Sequence, residues 1–167
     1  MLKKEAKTGI MRRLFFLILT IAFANIAYCQ RYINLTKPAS RKTFLKYVNK
    51  ETYHTIITET DSTMTFLIRD PKVQNLDMRL HFDRQGRCDK ELQKLSCDSC
   101  YQKLLHTALA DQRYRWIKAD DSTYYSKFSK RLMLKAGYDD PFSFSVSRIN
   151  LTENEYALRT KNNILRE

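Results

Sequence analysis

The sequence predicts an α+β fold, an antiparallel β-sheet or sheets with two or three helices packed on one face. Three observations lead there. Several short segments alternate apolar and polar residues, the period of a strand with one buried and one wet face. Short turns join most of them, and a short turn can only return a strand antiparallel to its neighbour. Three other segments space their apolar residues three to four apart behind capping side chains, as helices do.

Residues 30–38 read as a lead-in. Ser40 can cap a helix over 41–50, with Phe44, Leu45 and Val48 on one face. Tyr53 to Thr60 and Thr63 to Arg69 are rich in Thr, Ile and Phe, and Asp61-Ser62 sits between them as the turn of a β pair. Asp70-Pro71 breaks the run. Leu76, Met78, Leu80 and Phe82 alternate with Asp77, Arg79, His81 and Asp83, a half-buried strand. Asp83-Arg84-Gln85-Gly86 is a turn, because Gly tolerates positive φ. Arg87 to Leu95 returns as a strand, although Lys90 to Leu95 would also accept a helix.

Asp98 or Ser96 caps a second helix to about Asp111, with Tyr101, Leu104, Leu105, Ala108 and Leu109 as its apolar face. Trp116 to Ala119 and Thr123 to Ser126 form a hairpin around Asp120-Asp121, and 131–138 is a strand. Phe142, Phe144 and Val146 against Ser143, Ser145 and Ser147 form the clearest strand of all. Thr152-Glu153-Asn154-Glu155 is a capping box that opens a last helix to about Lys161. The order is helix, four strands, helix, four strands, helix. An offset of 60 aligns Phe44-Leu45 with Leu104-Leu105, Ile57 with Ile117, and Asp61-Ser62-Thr63 with Asp121-Ser122-Thr123, which suggests a duplicated helix-plus-sheet unit. Turn chemistry alone would also favour Asp and Ser at those positions.

The first residues read as a cleavable secretory signal peptide, residues 1–29. Lys3, Lys4, Lys7, Arg12 and Arg13 make a basic start, and Leu14 to Ala27 is uncharged. An apolar run of about 14 residues is shorter than the roughly 20 that a spanning helix needs. Ala27-Tyr28-Cys29 puts small side chains where a signal peptidase needs them, so the cut is expected before Gln30, with Ala22-Phe23-Ala24 as a second site. The membrane then matters only through this peptide. Ile26-Ala27-Tyr28-Cys29 resembles a bacterial lipobox, which would imply lipidation of Cys29, but Tyr28 is bulky at a position that takes a small residue. Met11-Arg12-Arg13 would itself begin a complete signal. The style of the signal resembles that of exported Gram-negative proteins and implies the periplasm or secretion.

Residues 30–167 suit one α+β domain with its own core. They carry a net charge of about +8, which favours an anionic surface or protein partner. Export and the lack of a nucleic-acid motif argue against genomic targets. The basic segments are Arg41 to Lys50 and Lys127 to Lys135, the latter beside Tyr124, Tyr125 and Phe128. Asn34-Leu35-Thr36 and Asn150-Leu151-Thr152 are N-glycosylation sequons, relevant in a eukaryote, and the two Asp-Ser-Thr triplets resemble a bacterial O-glycosylation signal.

Cys88, Cys97 and Cys100 are the disulfide candidates of the exported chain, an odd number that leaves one spare thiol after one bridge. If 88–95 is a straight strand, Cys88 lies about 20 Å from its far end at about 3.3 Å per residue, and either Cys97 pairs with Cys100 or none pair. If it bends or is helical, Cys88 can bridge to either. Cys97-Asp98-Ser99-Cys100 sits where the expected strand gives way to the expected helix, whose dipole favours a thiolate. This resembles the active-site placement in thioredoxin-like oxidoreductases, and Pro141 resembles that family's cis-proline. The resemblance implies a thiol-disulfide reaction at Cys97 and Cys100. The chain departs from the family in lacking a Trp before Cys97 and a preceding βαβ unit. Lys90, Glu91, Gln93 and Lys94 also make the preceding strand polar for a buried central one.

No cofactor or metal motif stands out. Three Cys lack a fourth zinc ligand, for which His81 and His106 are the candidates. His54, His81 and His106 read as surface residues, and Asp120-Asp121 and Asp139-Asp140 as solvated turn acids. The expected role is a non-catalytic binding or interaction protein. A thiol-active enzyme and a cationic binder of anionic envelope polymers are the alternatives.

Overall fold

A computed structural model describes residues 32–48, 54–69, 75–128 and 131–164. The expected signal peptide with Cys29 lies outside these residues, as do Tyr53 and the Asp70-Pro71 break. The elements are α1 (Lys37–Tyr47), β1 (His54–Glu59), β2 (Thr63–Arg69), β3 (Asn75–Phe82), β4 (Cys88–Leu95), α2 (Asp98–Leu109), β5 (Trp116–Lys118), β6 (Thr123–Ser126), β7 (Leu132–Ala136), β8 (Ser143–Arg148) and α3 (Glu153–Ile164). The strands form one eight-stranded antiparallel sheet in the order β1-β2-β3-β4-β8-β7-β6-β5. Each half is a helix followed by a four-strand meander, and the last strands of the two meanders meet at the centre.

Register divides the side chains between two faces. Met64 pairs with Leu80 and Phe66 with Met78, so these four share what we term the inner face. The same face runs through Glu91 and Gln93 of β4 to Val146 and Phe144 of β8 and Leu134 of β7. All of these are buried. Phe44 of α1 stacks on Phe66 with ring centroids 3.9 Å apart. On the other half, the Trp116 indole donates to the Ala108 carbonyl of α2 at 3.0 Å, and Tyr101 tilts against Phe142. Helices α1 and α2 therefore cover the inner face, one on each half.

Helix α3 does not join them. Tyr125 pairs with Met133, one residue out of phase with Leu134, so its ring leaves the outer face. Tyr156 of α3 meets that ring edge-on at 6.3 Å, and its hydroxyl donates to the Ser126 carbonyl at 3.1 Å. Arg159 donates to the Tyr125 hydroxyl at 3.1 Å. The expectation of helices on one face is thus corrected for α3. Its capping box forms as read, with the Thr152 amide on the Glu155 carboxylate at 2.8 Å and the Glu155 amide on Thr152 Oγ1 at 3.3 Å.

Three other readings are revised. Helix α1 starts at Lys37 behind Thr36, with Pro38 in the first turn, so Ser40 is buried inside the helix and caps nothing. Pro suits a first turn because the amide it lacks has no helical partner there. Second, β4 is a central strand despite its polarity, and Glu91 is 1% exposed on the inner face. Third, the offset of 60 slips by one residue at the hairpins. Glu59 pairs with Met64 across four loop residues, whereas Lys118 pairs with Tyr124 across five. Ile57 consequently faces inward opposite Phe66, and Ile117 outward opposite Tyr125.

Candidate functional site

The outer face of the N-terminal half carries no helix among the described residues. Alternation and pairing place Ile56 and Thr58 of β1, Thr65, Leu67 and Arg69 of β2, Asp77, Arg79 and His81 of β3, and Lys90, Leu92 and Lys94 of β4 on it. None of these is buried, and Ile56 is 54% exposed. One cross-strand row reads Thr58, Thr65, Arg79, Leu92, Ser145 and Lys135 through directly paired positions. A second reads Ile56, Leu67, Asp77, Lys94 and Ser143. Cations thus alternate with apolar and hydroxyl side chains from β1 to β4, where the surface is open, and both rows run on to serines of β8 that are buried.

Some of these charges are already matched. Arg69 bonds Asp77, Lys94 bonds Asp140 at 2.7 Å, and His81 Nδ1 meets Asp89 at 2.7 Å. The Asp140 carboxylate and the Lys94 ammonium hold each other charged, so the acid lies below and the amine above its ordinary pKa. Lys90 lies over the Tyr138 ring at 3.5 Å. Arg79, Lys90 and Lys135 have no acidic partner among the described residues. At the end of this face Arg69, Asn75, Asp77, Lys94, Leu95 and Ser96 line a shallow cleft of about 190 Å³. The Ser96 hydroxyl accepts the Asn75 amide there at 3.1 Å.

The cysteine pair lies just beyond that cleft. Cys97 is the N-cap of α2, and its Sγ accepts the Cys100 amide at 3.1 Å. The two form a disulfide, with Cα atoms 5.3 Å apart. Cys97 is half-buried and Cys100 buried. Cys88 opens β4 at the far end, paired with Phe82 and fully buried, and burial beside the Glu91 charge pushes its thiol up to about 12. The strand before the pair is central and the Leu95 amide bonds the Phe142 carbonyl at 3.0 Å, so Pro141-Phe142 does lie beside it. The Pro141 peptide is trans, and the sheet is antiparallel throughout, unlike the thioredoxin-like arrangement.

The remaining candidates are dispersed. His54 begins β1, His81 is on β3, and His106 is exposed on α2. No group of three or more His, Cys, Asp or Glu among the described residues could hold a metal ion. Asp120 accepts the Ser122 and Thr123 amides at 2.9 and 2.8 Å, which holds its carboxyl below the usual range. Tyr125 of the second basic segment is buried beneath α3, while Phe128 is exposed under Arg115. Residue-level reading identified the alternation in β3 but not the uncovered face, because one sequence does not say which side a helix chooses. Glu91 and Gln93 were missed as inner-face residues, although their spacing of two was the available signal. The chain matches no protein-family model, no curated protein and no solved structure.

Proposed function

We propose that this is an exported, non-catalytic binding protein whose outer sheet face on the N-terminal half receives its partner. The observation that carries this reading is that face, uncovered among the described residues, where Ile56, Leu67 and Leu92 stand half-buried or exposed among Arg79 and Lys90. Such a surface keeps apolar area in water unless something covers it. In this proposal the signal peptide, residues 1–29, is removed, and residues 30–167 act as one domain in the periplasm or medium of a Gram-negative bacterium. The two helix-plus-meander halves are read as a duplicated unit, one copy of which gained α3. Support comes from the mirrored strand order and from Ser40 and Phe44 lying 60 positions before Cys100 and Leu104.

A photo-crosslinker at position 65 in the producing cell is expected to trap a discrete adduct that the same group at position 158 of α3 does not. Equal yields from both positions, or none from 65, would remove the reading. Intact mass of the exported protein is expected to start at Gln30.

One observation favours thiol chemistry as a second reading: Cys97 is half-exposed at a helix start, with an amide already aimed at its sulfur. Insulin reduction with a regenerating thiol separates the two readings. No turnover is expected. Turnover lost in Cys97→Ser would favour the oxidoreductase.

A further inference from the structure

We infer that the partner is a protein segment carrying both acidic and apolar side chains, rather than an anionic polymer; this rests on the binding reading above. The cations left over for a partner on this face are Arg79 and Lys90, since Arg69 and Lys94 are paired with Asp77 and Asp140. Lys135 continues the Arg79 row on β7, but only through Ser145, which is 1% exposed, so it lies off the open surface. Leu92 stands directly opposite Arg79 and two residues along β4 from Lys90, so these two cations border an apolar side chain rather than a run of further cations. A sulfated or phosphorylated polymer is bound through closely repeated cations, and apolar neighbours add nothing to it.

A protein interface has the opposite plan, with an apolar centre and a charged rim. Leu67 and Leu92 flank Asp77 and Arg79 near the middle of this face, and Ile56 continues the apolar patch to the β1 edge. Lys90 and Lys94 bracket Leu92 along β4, two residues to either side. An extended segment that carries Glu and Leu in turn at every second position shows both to one face, and would set its leucines on Leu67 and Leu92 and its carboxylates on Arg79 and Lys90. The cations would select the segment and set its orientation, and the apolar contacts would carry the affinity.

The test uses two probes against the purified protein: a fluorescent twelve-residue peptide of three Glu-Ser-Leu-Ser repeats, and heparin. The peptide is expected to bind, with Arg79→Glu and Leu92→Asp each weakening it at least tenfold and α3 substitutions leaving it unchanged. Heparin is expected to bind more weakly than the peptide, and indifferently to Leu92→Asp. If heparin binds more tightly, or if peptide binding ignores Leu92→Asp, the face belongs to an anionic polymer. The inference then fails while the binding reading stands. If amide exchange in β2, β3 and β4 is untouched by either probe, the face receives no partner and both fail. Circular dichroism of each variant separates lost binding from lost fold.

Discussion

The two halves of the sheet meet the same solvent on the same face and solve it differently. On the C-terminal half, Tyr125 is buried beneath Tyr156, and the helix that carries Tyr156 hydrogen-bonds to the strand below. On the N-terminal half the equivalent surface keeps Ile56 exposed and Leu67 and Leu92 half-buried, with cations between them. The inner faces show no such contrast, because each half receives a helix there. The difference is α3, which covers the outer face of one half, while no helix among the described residues covers the other.

The comparison breaks first at the core. Phe66 has no exposed surface and stacks on Phe44, so Phe66→Ala removes a filled volume and both faces of a ring contact. A loss of about 3–5 kcal/mol is expected in urea unfolding. Tyr156→Ala strips α3 of its anchor. It costs the ring contact and the bond to Ser126, about 2–3 kcal/mol together. A Tyr156→Ala protein that stays within about 0.5 kcal/mol would mean α3 adds nothing, and the covered half would be no different from the bare one.

Much of this pattern was legible. β3 and β8 declare themselves by alternation, and Thr152 with Glu155 marks the start of α3. The polarity of β4 hid its central place, because Glu91 and Gln93 occupy inner-face positions that hydrophobic counting assigns to water. The helix-side choice of α3 depends on Tyr125 being one residue out of phase with Leu134, a register set by β7 and not by the helix's own sequence. The site was legible as composition, with basic residues near hydroxyl and apolar ones, but its rows join residues as distant as Thr58 and Lys135 through successive pairings.

The thiols sharpen the contrast between buried and available groups. Cys88 is neutral in the folded protein, its pKa raised to about 12 from an ordinary 9.0. A raised folded value gives stability that is complete below pH 9 and falls away as pH climbs toward 12, since the unfolded thiol ionises first. Cys88→Ala should flatten that stretch of the stability profile relative to the parent, while changing little below pH 8 beyond a constant offset. In the acid range the signs reverse. The carboxyls of Asp83, Asp120 and Asp140 are lowered by amides, Arg148 or Lys94, so their stabilisation is present above the ordinary carboxylate pKa and is lost on further acidification.

Reducing the Cys97–Cys100 bridge should cost less. It closes a loop of separation 3, and the chain-entropy model gives such a loop about 2 kcal/mol. The released Cys97 sulfur would still accept the Cys100 amide and still cap α2, which offsets part of the loss. Urea midpoints with and without reductant measure this directly, at unchanged slope if only the bridge is affected. A midpoint that does not move would show that the helix start is held by its cap and by Tyr101 against Phe142.

The smallest effects should lie on the bare face, and their smallness is the content of the prediction. Arg79 is exposed, has no acidic partner among the described residues, and pairs across the sheet with Thr65 and Leu92. Arg79→Ala and Ile56→Thr should each stay within about 0.5 kcal/mol of the parent, because surface substitutions away from caps, cores and ion pairs do. Ile56→Thr keeps a β-branched residue on the β1 strand, so propensity is preserved and only apolar area is removed. Lys94→Ala is the control within the same face, since it breaks the Asp140 contact and returns that carboxyl toward its ordinary range. If Arg79→Ala or Ile56→Thr were to cost as much as Tyr156→Ala, the side chains of the bare face would be structural. The contrast between the halves would then reflect two ways of holding the sheet together, not one half held and one half offered.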